Sequence, residues 1–280
     1  MPRKPKNPKP LDPDVEVFSL YDGQVELRFK GSSHRTTVID GGQTVRPPSI
    51  TTVLNVLNKP AIIPWAINKT ADFIRQGFDD LIKGNSFSID SVYKLIEASR
   101  LASEAAREEA AEIGTDAHDF LAAYLRGIST GVCPKMPEEG PVRNCINAAL
   151  DWIGRHDVQP AIIEYPLYSR KFAITGRPDF IGKIDGEFSV LDFKSTKCLW
   201  PEVPLQMAPY AKMYEEEYGT LPAVRWGLRM DKVSGEFEDK KYLPATMEED
   251  FDTFMAAFKI YDRMKHLRRK EKPEADSWLG

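Results

Sequence analysis

The 280-residue chain contains only three cysteines and four histidines. Cys133, Cys145 and Cys198 are far apart, and none has a second cysteine at the C-x-x-C spacing. That argues against a disulfide framework or a zinc knuckle and suits free thiols in a reducing, cytoplasmic setting. No apolar run approaches the roughly 20 residues that cross a bilayer, which excludes a membrane-spanning protein. Behind the charged opening Met1-Pro-Arg-Lys-Pro-Lys there is no apolar stretch of the signal-peptide kind. A G-x-x-x-x-G-K-[ST] loop is also missing, so no P-loop ATP motor is encoded. No internal repeat is visible. A net charge of −4 does not advertise a nucleic-acid partner.

What is there is ordinary in bulk: 42% hydrophobic and 29% charged residues, in a chain long enough for one large domain or two small ones. The charge is uneven. Arg3, Lys4, Lys6 and Lys9 sit in a Pro-rich opening segment that cannot build a core and reads as disordered. Lys265, Arg268, Arg269, Lys270 and Lys272 crowd the other end. Either cluster suits contact with phosphate or plain solvation.

The most informative stretch runs from Ile174 to Ser195. Two β-type runs flank Asp185-Gly186, a dipeptide that signals a type I′ hairpin turn. Counting outward pairs Ile184 with Glu187, Phe180 with Leu191, and Asp179 with Asp192. Lys194 shares the face of Asp192 because side chains alternate along a strand. By the same count Lys194 faces Arg177. Like charges placed directly opposite destabilise a sheet. A hard divalent cation would compensate; so would solvent, helped by Arg177 and Lys194.

Elsewhere the pattern alternates strands and helices. Strands are expected over Val15–Tyr21 and Gln24–Phe29 around Asp22-Gly23, over Thr36–Ile39, Ala161–Tyr168, Ala223–Met230 and Glu236–Leu243. Ser49 is placed to cap a helix over Ile50–Leu57, which Pro60 breaks. Further helices are expected over Trp65–Gln76, over Asp90–Leu101 with Asp90 as cap, and over Leu101–Leu125. Gly127–Pro141 reads as a loop, followed by helices over Val142–Arg155 and Val203–Tyr218, where Pro209 predicts a kink or a restriction. Thr246 and Glu249 form a capping-box pattern for a last helix. The expected fold class is mixed α/β, with a tail over 1–13, one domain over 14–272 and a tail over 273–280. Within the domain, strands fill 14–46, a helical region 47–130, and a sheet core with its final helix 140–272.

Four short patterns then fall into order: Gly114-Thr-Asp-Ala-His118 on a helix, Gly176-Arg-Pro-Asp179 entering a strand, Asp192-Phe-Lys194 across the hairpin, and Gln206-Met-Ala-Pro-Tyr210 on the next helix. Each alone is weak, since Gln and Tyr at i and i+4 merely share a helix face. Together they resemble the RecB-type nucleases of the PD-(D/E)XK superfamily, whose motifs G-x-x-x-H, G-x-x-D, D-x-K and Q-x-x-x-Y occur in this order. The resemblance covers about His118–Tyr210. The segments Pro48-Ser-Ile-Thr-Thr-Val-Leu54 and Pro64-Trp-Ala66 also resemble the leading helical region of phage-encoded and mitochondrial genome maintenance exonucleases.

The resemblance implies a restriction-endonuclease-like core, a central mixed sheet flanked by helices, behind an N-terminal helical arch that admits a free single-strand end. It implies a Mg²⁺- or Mn²⁺-dependent deoxyribonuclease, an exonuclease before a structure-specific endonuclease or a non-catalytic DNA-binding protein. DNA is then the partner, alongside a phage annealing or replication protein. His118, Asp179, Asp192 and the Phe193 carbonyl would hold the metal, and an imidazole ligand is compatible with Mn²⁺. Lys194 would orient the attacking water, with Gln206 and Tyr210 contacting the strand and supporting the lysine. Arg177 and Ser195 stand beside them as substrate-binding residues. Glu164 fits either a further acidic member of the site or a surface position. Some relatives carry a four-cysteine iron–sulfur cluster; three scattered cysteines here predict none.

Overall fold

The computed structural model describes residues 13–33, 35–57, 62–84, 86–128 and 130–270. The opening segment to residue 12, Pro60 and the tail from 271 lie outside the described residues, as do the side chains of Arg269 and Lys270. Around the Asp185-Gly186 turn, β8 (Phe180–Ile184) and β9 (Glu187–Lys194) pair antiparallel from Ile184↔Glu187 to Phe180↔Leu191, the counted register. Both turn residues have left-handed φ, 52° at Asp185 and 81° at Gly186, as a type I′ turn requires.

The hairpin is the middle of a five-stranded mixed sheet in the order β11-β10-β9-β8-β5. β5 (Val158–Ile163) is its edge strand, and the register shifts between Pro160 and Ile162. An edge tolerates a proline because the missing N–H faces no partner. β10 (Val224–Met230) runs parallel to β9, and α5 (Glu202–Tyr218) makes the crossover that parallel neighbours need. β11 (Phe237–Tyr242) closes the other edge.

Period-2 alternation sends Phe180, Leu191 and Phe193 to one face of this sheet and Ile181 and Val190 to the other. The first face packs against α3 (Ile89–Gly127) and α4 (Pro141–Ile153) through Leu121, Leu125 and Trp152. The second packs against α1 (Ile50–Leu54), α5 and α6 (Met247–Lys270) through Ile50, Met207, Ala211 and Phe254. The fold is therefore mixed α/β. A separate antiparallel meander, β1 (Val15–Leu20), β2 (Val25–Lys30), β3 (Arg35–Asp40) and β4 (Gln43–Val45), docks against Tyr168 and Arg170. The Tyr21 hydroxyl donates to the Tyr168 carbonyl at 2.7 Å, and Arg170 pairs with Asp40 at 2.8 Å.

Several elements differ from the sequence reading. The expected strand over Ala161–Tyr168 is two pieces, β5 and a short β6 (Leu167–Ser169), separated at Glu164, whose φ is 48°. β6 pairs with β7 (Ile174–Gly176) as a two-stranded sheet of its own. The helices expected over Asp90–Leu101 and Leu101–Leu125 are one helix of 39 residues, about 58 Å long, since Ala- and Glu-rich sequence carries it past Leu101. Its cap is Ser88, not Asp90: Ser88 Oγ accepts from Ser91 N–H while Ser91 Oγ accepts from Ser88 N–H. α2 starts at Ile62 and runs to Lys83, longer than expected, and lies back along α3 without a buried residue of its own. Thr246 does not cap α6. Its hydroxyl donates to Leu243 and accepts from the fully buried Arg225, which also pairs with Asp250 at 2.7 Å. Ser49 does cap α1, accepting from Thr52 N–H. α5 continues through Pro209. No helix among the described residues is long and apolar enough to cross a membrane.

Candidate metal and phosphoryl-transfer site

The antiparallel ladder between β8 and β9 ends at Phe180↔Leu191, and Pro178, two residues earlier, has no N–H to extend it. Asp179 therefore uses its side chain: Oδ2 accepts from the Phe193 N–H at 2.7 Å, and Oδ1 lies 3.3 Å from His118 Nδ1. His118 reaches it because α3 passes close to the end of β9 at Gly114, where a Cβ would come within 2.8 Å of Ser195 Oγ. The imidazole also meets the Phe193 ring edge-on. Glu164, at the bend after β5, brings Oε1 to 4.0 Å from His118 Nδ1.

Asp192 and Lys194 point to the α5 face, as alternation requires. Lys194 Nζ lies 2.5 Å from Asp192 Oδ2 and 3.2 Å from Gln206 Oε1. Gln206 Nε2 donates to Asp192 Oδ1 at 3.1 Å and to the Tyr210 hydroxyl, one helical turn on, at 3.3 Å. Gly176 permits this: a Cβ there would stand 2.4 Å from the Tyr210 ring.

The electrostatics are those of a crowded, largely buried site. Burial raises the Asp192 pKa to about 6; Lys194 opposes that rise and Asp179 adds to it. Burial and the Asp179 charge likewise raise Glu164 to about 7. Burial alone would lower the His118 pKa, yet the Asp179 carboxylate lifts it to about 9. Asp179 itself is held below its usual range: its burial is outweighed by His118, Lys194 and the Phe193 N–H. Lys194 stays ionised, because Asp192 and Asp179 outweigh its burial.

His118, Glu164 and Asp179 offer ligand atoms that all lie within 4.8 Å of one another. Glu164, left open in the sequence, thus joins the group, while Asp192 is turned toward Lys194 and Gln206. Asp192 Oδ2 is taken by the Lys194 ammonium at 2.5 Å. Two carboxylates and an imidazole suit a hard or borderline divalent cation. Phe193 gives its N–H to Asp179 and its ring edge to His118, and it pairs with Leu228 of β10. Arg177 does not face Lys194: its Nε donates to the Glu164 carbonyl at 2.8 Å and lies 3.1 Å from the Glu164 carboxylate, and its Nη1 is 3.8 Å from Glu16. Arg177 lies between β7 (Ile174–Gly176) and β8, outside the ladder. Ser195 lines a cleft of about 1060 Å³ that opens over His118 and Glu164.

No family model matches the chain, and no curated protein does. Among solved structures, an alkaline exonuclease from Laribacter hongkongensis is similar at 13% identity and a TM-score of 0.27, over 54% of this chain and 84% of that one. At that score the overlap is too slight to bear on fold or activity.

Proposed function

We propose that the chain is a divalent-metal-dependent deoxyribonuclease with a PD-(D/E)XK-type core, acting on strand ends. The observation that carries this reading is the meeting of Asp179, the buried Asp192 and Lys194 at the open end of one hairpin, with His118 and Glu164 against Asp179. A buried carboxylate beside a second, half-buried one and a half-buried ammonium is costly as architecture. It is accounted for by a reaction between two electron-rich groups, water and a phosphodiester.

Asp179, His118 and Glu164 would hold Mg²⁺ or Mn²⁺, and Asp192 would join them by turning from Lys194. The cation, when bound, supplies a more acidic water and neutralises phosphate charge. Lys194 holds a fixed positive charge where negative charge develops on the phosphoryl oxygens, the kind of group that acts most strongly in a dry site. Gln206 fixes both Lys194 and Asp192, and Tyr210 fixes Gln206, so the ammonium is positioned from two sides. Arg177, engaged by Glu164, orients that carboxylate as much as it offers charge to substrate.

End dependence is supported by the long α2–α3 hairpin standing beside the cleft. The phage setting and an annealing or replication partner rest on the sequence resemblance alone. The test is cleavage of end-labelled linear and circular single-stranded DNA with Mg²⁺, Mn²⁺ or EDTA. The reading expects metal-dependent loss of the linear substrate only. Cleavage of circles would move the assignment to an endonuclease, and no cleavage with either metal would end it.

A further inference from the structure

The cleft above His118 and Glu164 carries five side chains that the hydrolytic chemistry does not use: Trp65 and Lys69 from α2, Lys197 and Trp200 from the loop after β9, and Lys232 from the β10–β11 turn. Its volume, about 1060 Å³, is at the upper end of what encloses one drug-sized ligand, so it has room for more than a single small molecule.

The tryptophans do not belong to the core. Trp152 and Trp226 are packed among buried side chains, whereas Trp200 is 37% exposed and Trp65 is half-buried at the cleft. A large indole left beside an opening loses the burial energy that would otherwise explain it. The lysines are also uncommitted. Lys194, Lys212 and Lys241 all sit in ion pairs, but Lys69, Lys197 and Lys232 form no salt bridge among the described residues. Carboxylates share the lining: Glu109 and Asp119 on α3, and Asp231, which is already held by Arg229 at 2.8 Å and by the Val233 and Ser234 N–H groups. With those negative charges present, the lysines do not make a strongly positive groove. Recognition here has to come in good part from the rings.

We propose that Trp65 and Trp200 are base-stacking residues that admit an unpaired DNA strand to the cleft and discriminate against duplex, with Lys69, Lys197 and Lys232 following its phosphates. The assignment rests on the nuclease reading for its ligand and adds the residues that select the strand. Stacking on an indole needs a free base face. A single strand offers one at every nucleotide, while a duplex covers both faces of all but its terminal pairs. Aromatic stacking with uncommitted lysines is the general means of holding single strands without reading their sequence.

The probe is oligothymidylate, titrated into the full chain in EDTA so that no cleavage intervenes, and followed by tryptophan fluorescence and by anisotropy of a labelled oligomer. The same oligomer annealed to oligodeoxyadenylate serves as the duplex. Quenching is expected on binding the single strand. Trp65→Ala and Trp200→Ala should each weaken single-strand binding by about 5- to 100-fold, with unchanged melting temperature and little change in duplex affinity. Trp→Phe at either position should restore most of the loss. Replacing each of the three lysines by Gln should lower the salt slope of single-strand binding by about 0.7. Ala variants that bind the single strand within twofold of the parent, or that lose duplex binding equally, would overturn the assignment. A protein that cleaves DNA with metal while its Trp variants bind normally would lose only this inference. One that quenches and discriminates as described but never cleaves would lose the nuclease reading instead.

Discussion

Replacing Asp192 by asparagine should make the metal-free protein more stable at alkaline pH. The carboxyl is 2% exposed, and burial pushes its pKa from 3.8 to about 6 in spite of Lys194. That difference corresponds to about 3 kcal/mol against the ionised form in the folded state. The sign follows from linkage. Because the folded pKa lies above the unfolded one, the penalty is absent below pH 3.8, grows through the window up to about 6, and is complete above it. Asparagine stands in for the protonated acid and keeps an oxygen for Gln206, now 3.1 Å from Asp192 Oδ1. Its amide nitrogen then meets the Lys194 ammonium, donor against donor, which costs about 1–2 kcal/mol at either pH. The net expectation is a gain of about 1–2 kcal/mol at pH 8 and a loss of about 1 kcal/mol at pH 4. Urea unfolding in EDTA at both pH values measures it. A variant less stable than the parent at pH 8, or a difference that does not change with pH, would refute the picture of a strained carboxylate waiting for a cation.

Other consequences are open to the same kind of test. His118 contributes stability that is fully present below pH 6.5 and lost as pH rises through about 9, because its folded pKa is raised; in EDTA, His118→Gln should flatten the stability profile over that window. The same variant should weaken Mn²⁺ binding in calorimetric titration, and unchanged affinity would leave the histidine a structural partner of Asp179. Saturating Mn²⁺, at about 100 times its dissociation constant, should stabilise the parent by about 2.7 kcal/mol and Asp179→Asn by much less. Gly176→Ala should cost about 1–3 kcal/mol in urea unfolding through overpacking against Tyr210 and Ile50; a neutral result would mean that the helix carrying Gln206 shifts freely.

The parts of this arrangement that were legible in the sequence are the local ones. Asp185-Gly186 specifies its own turn, and the turn fixes the register of the whole hairpin by counting, so that Val190, Asp192 and Lys194 necessarily share a face. Ser49 names its helix start by the same short-range chemistry. The Asp179–Asp192 and Arg177–Lys194 pairings failed because counting presumes that a ladder continues, and this one ends at Phe180↔Leu191. Glu164 could not be assigned from pattern, since its place depends on a bend with φ of 48° that only the packing of β5 and β6 creates. Thr246 looked like a cap because Arg225, its partner from 21 residues away, is invisible to local spacing. The approach of His118 to Asp179 is of the same long-range kind. Its one sequence trace is Gly114, the residue that lets α3 come close to Ser195.

The account stands most directly on Lys194, whose ammonium lies 2.5 Å from Asp192 and is held by Gln206. If its role is to present compact positive charge to the reacting phosphate, the larger planar guanidinium of Lys194→Arg cannot reproduce the position, although it preserves the charge. Removing such a group commonly costs roughly 10²–10³ in rate. The measurement is single-turnover cleavage of an end-labelled linear single strand at saturating enzyme with Mn²⁺, which separates chemistry from binding. The account predicts that the parent cleaves, that EDTA abolishes cleavage, and that Lys194→Arg is slower by at least about 10²-fold while still binding the strand. Cleavage by Lys194→Arg at close to the parental rate would contradict it.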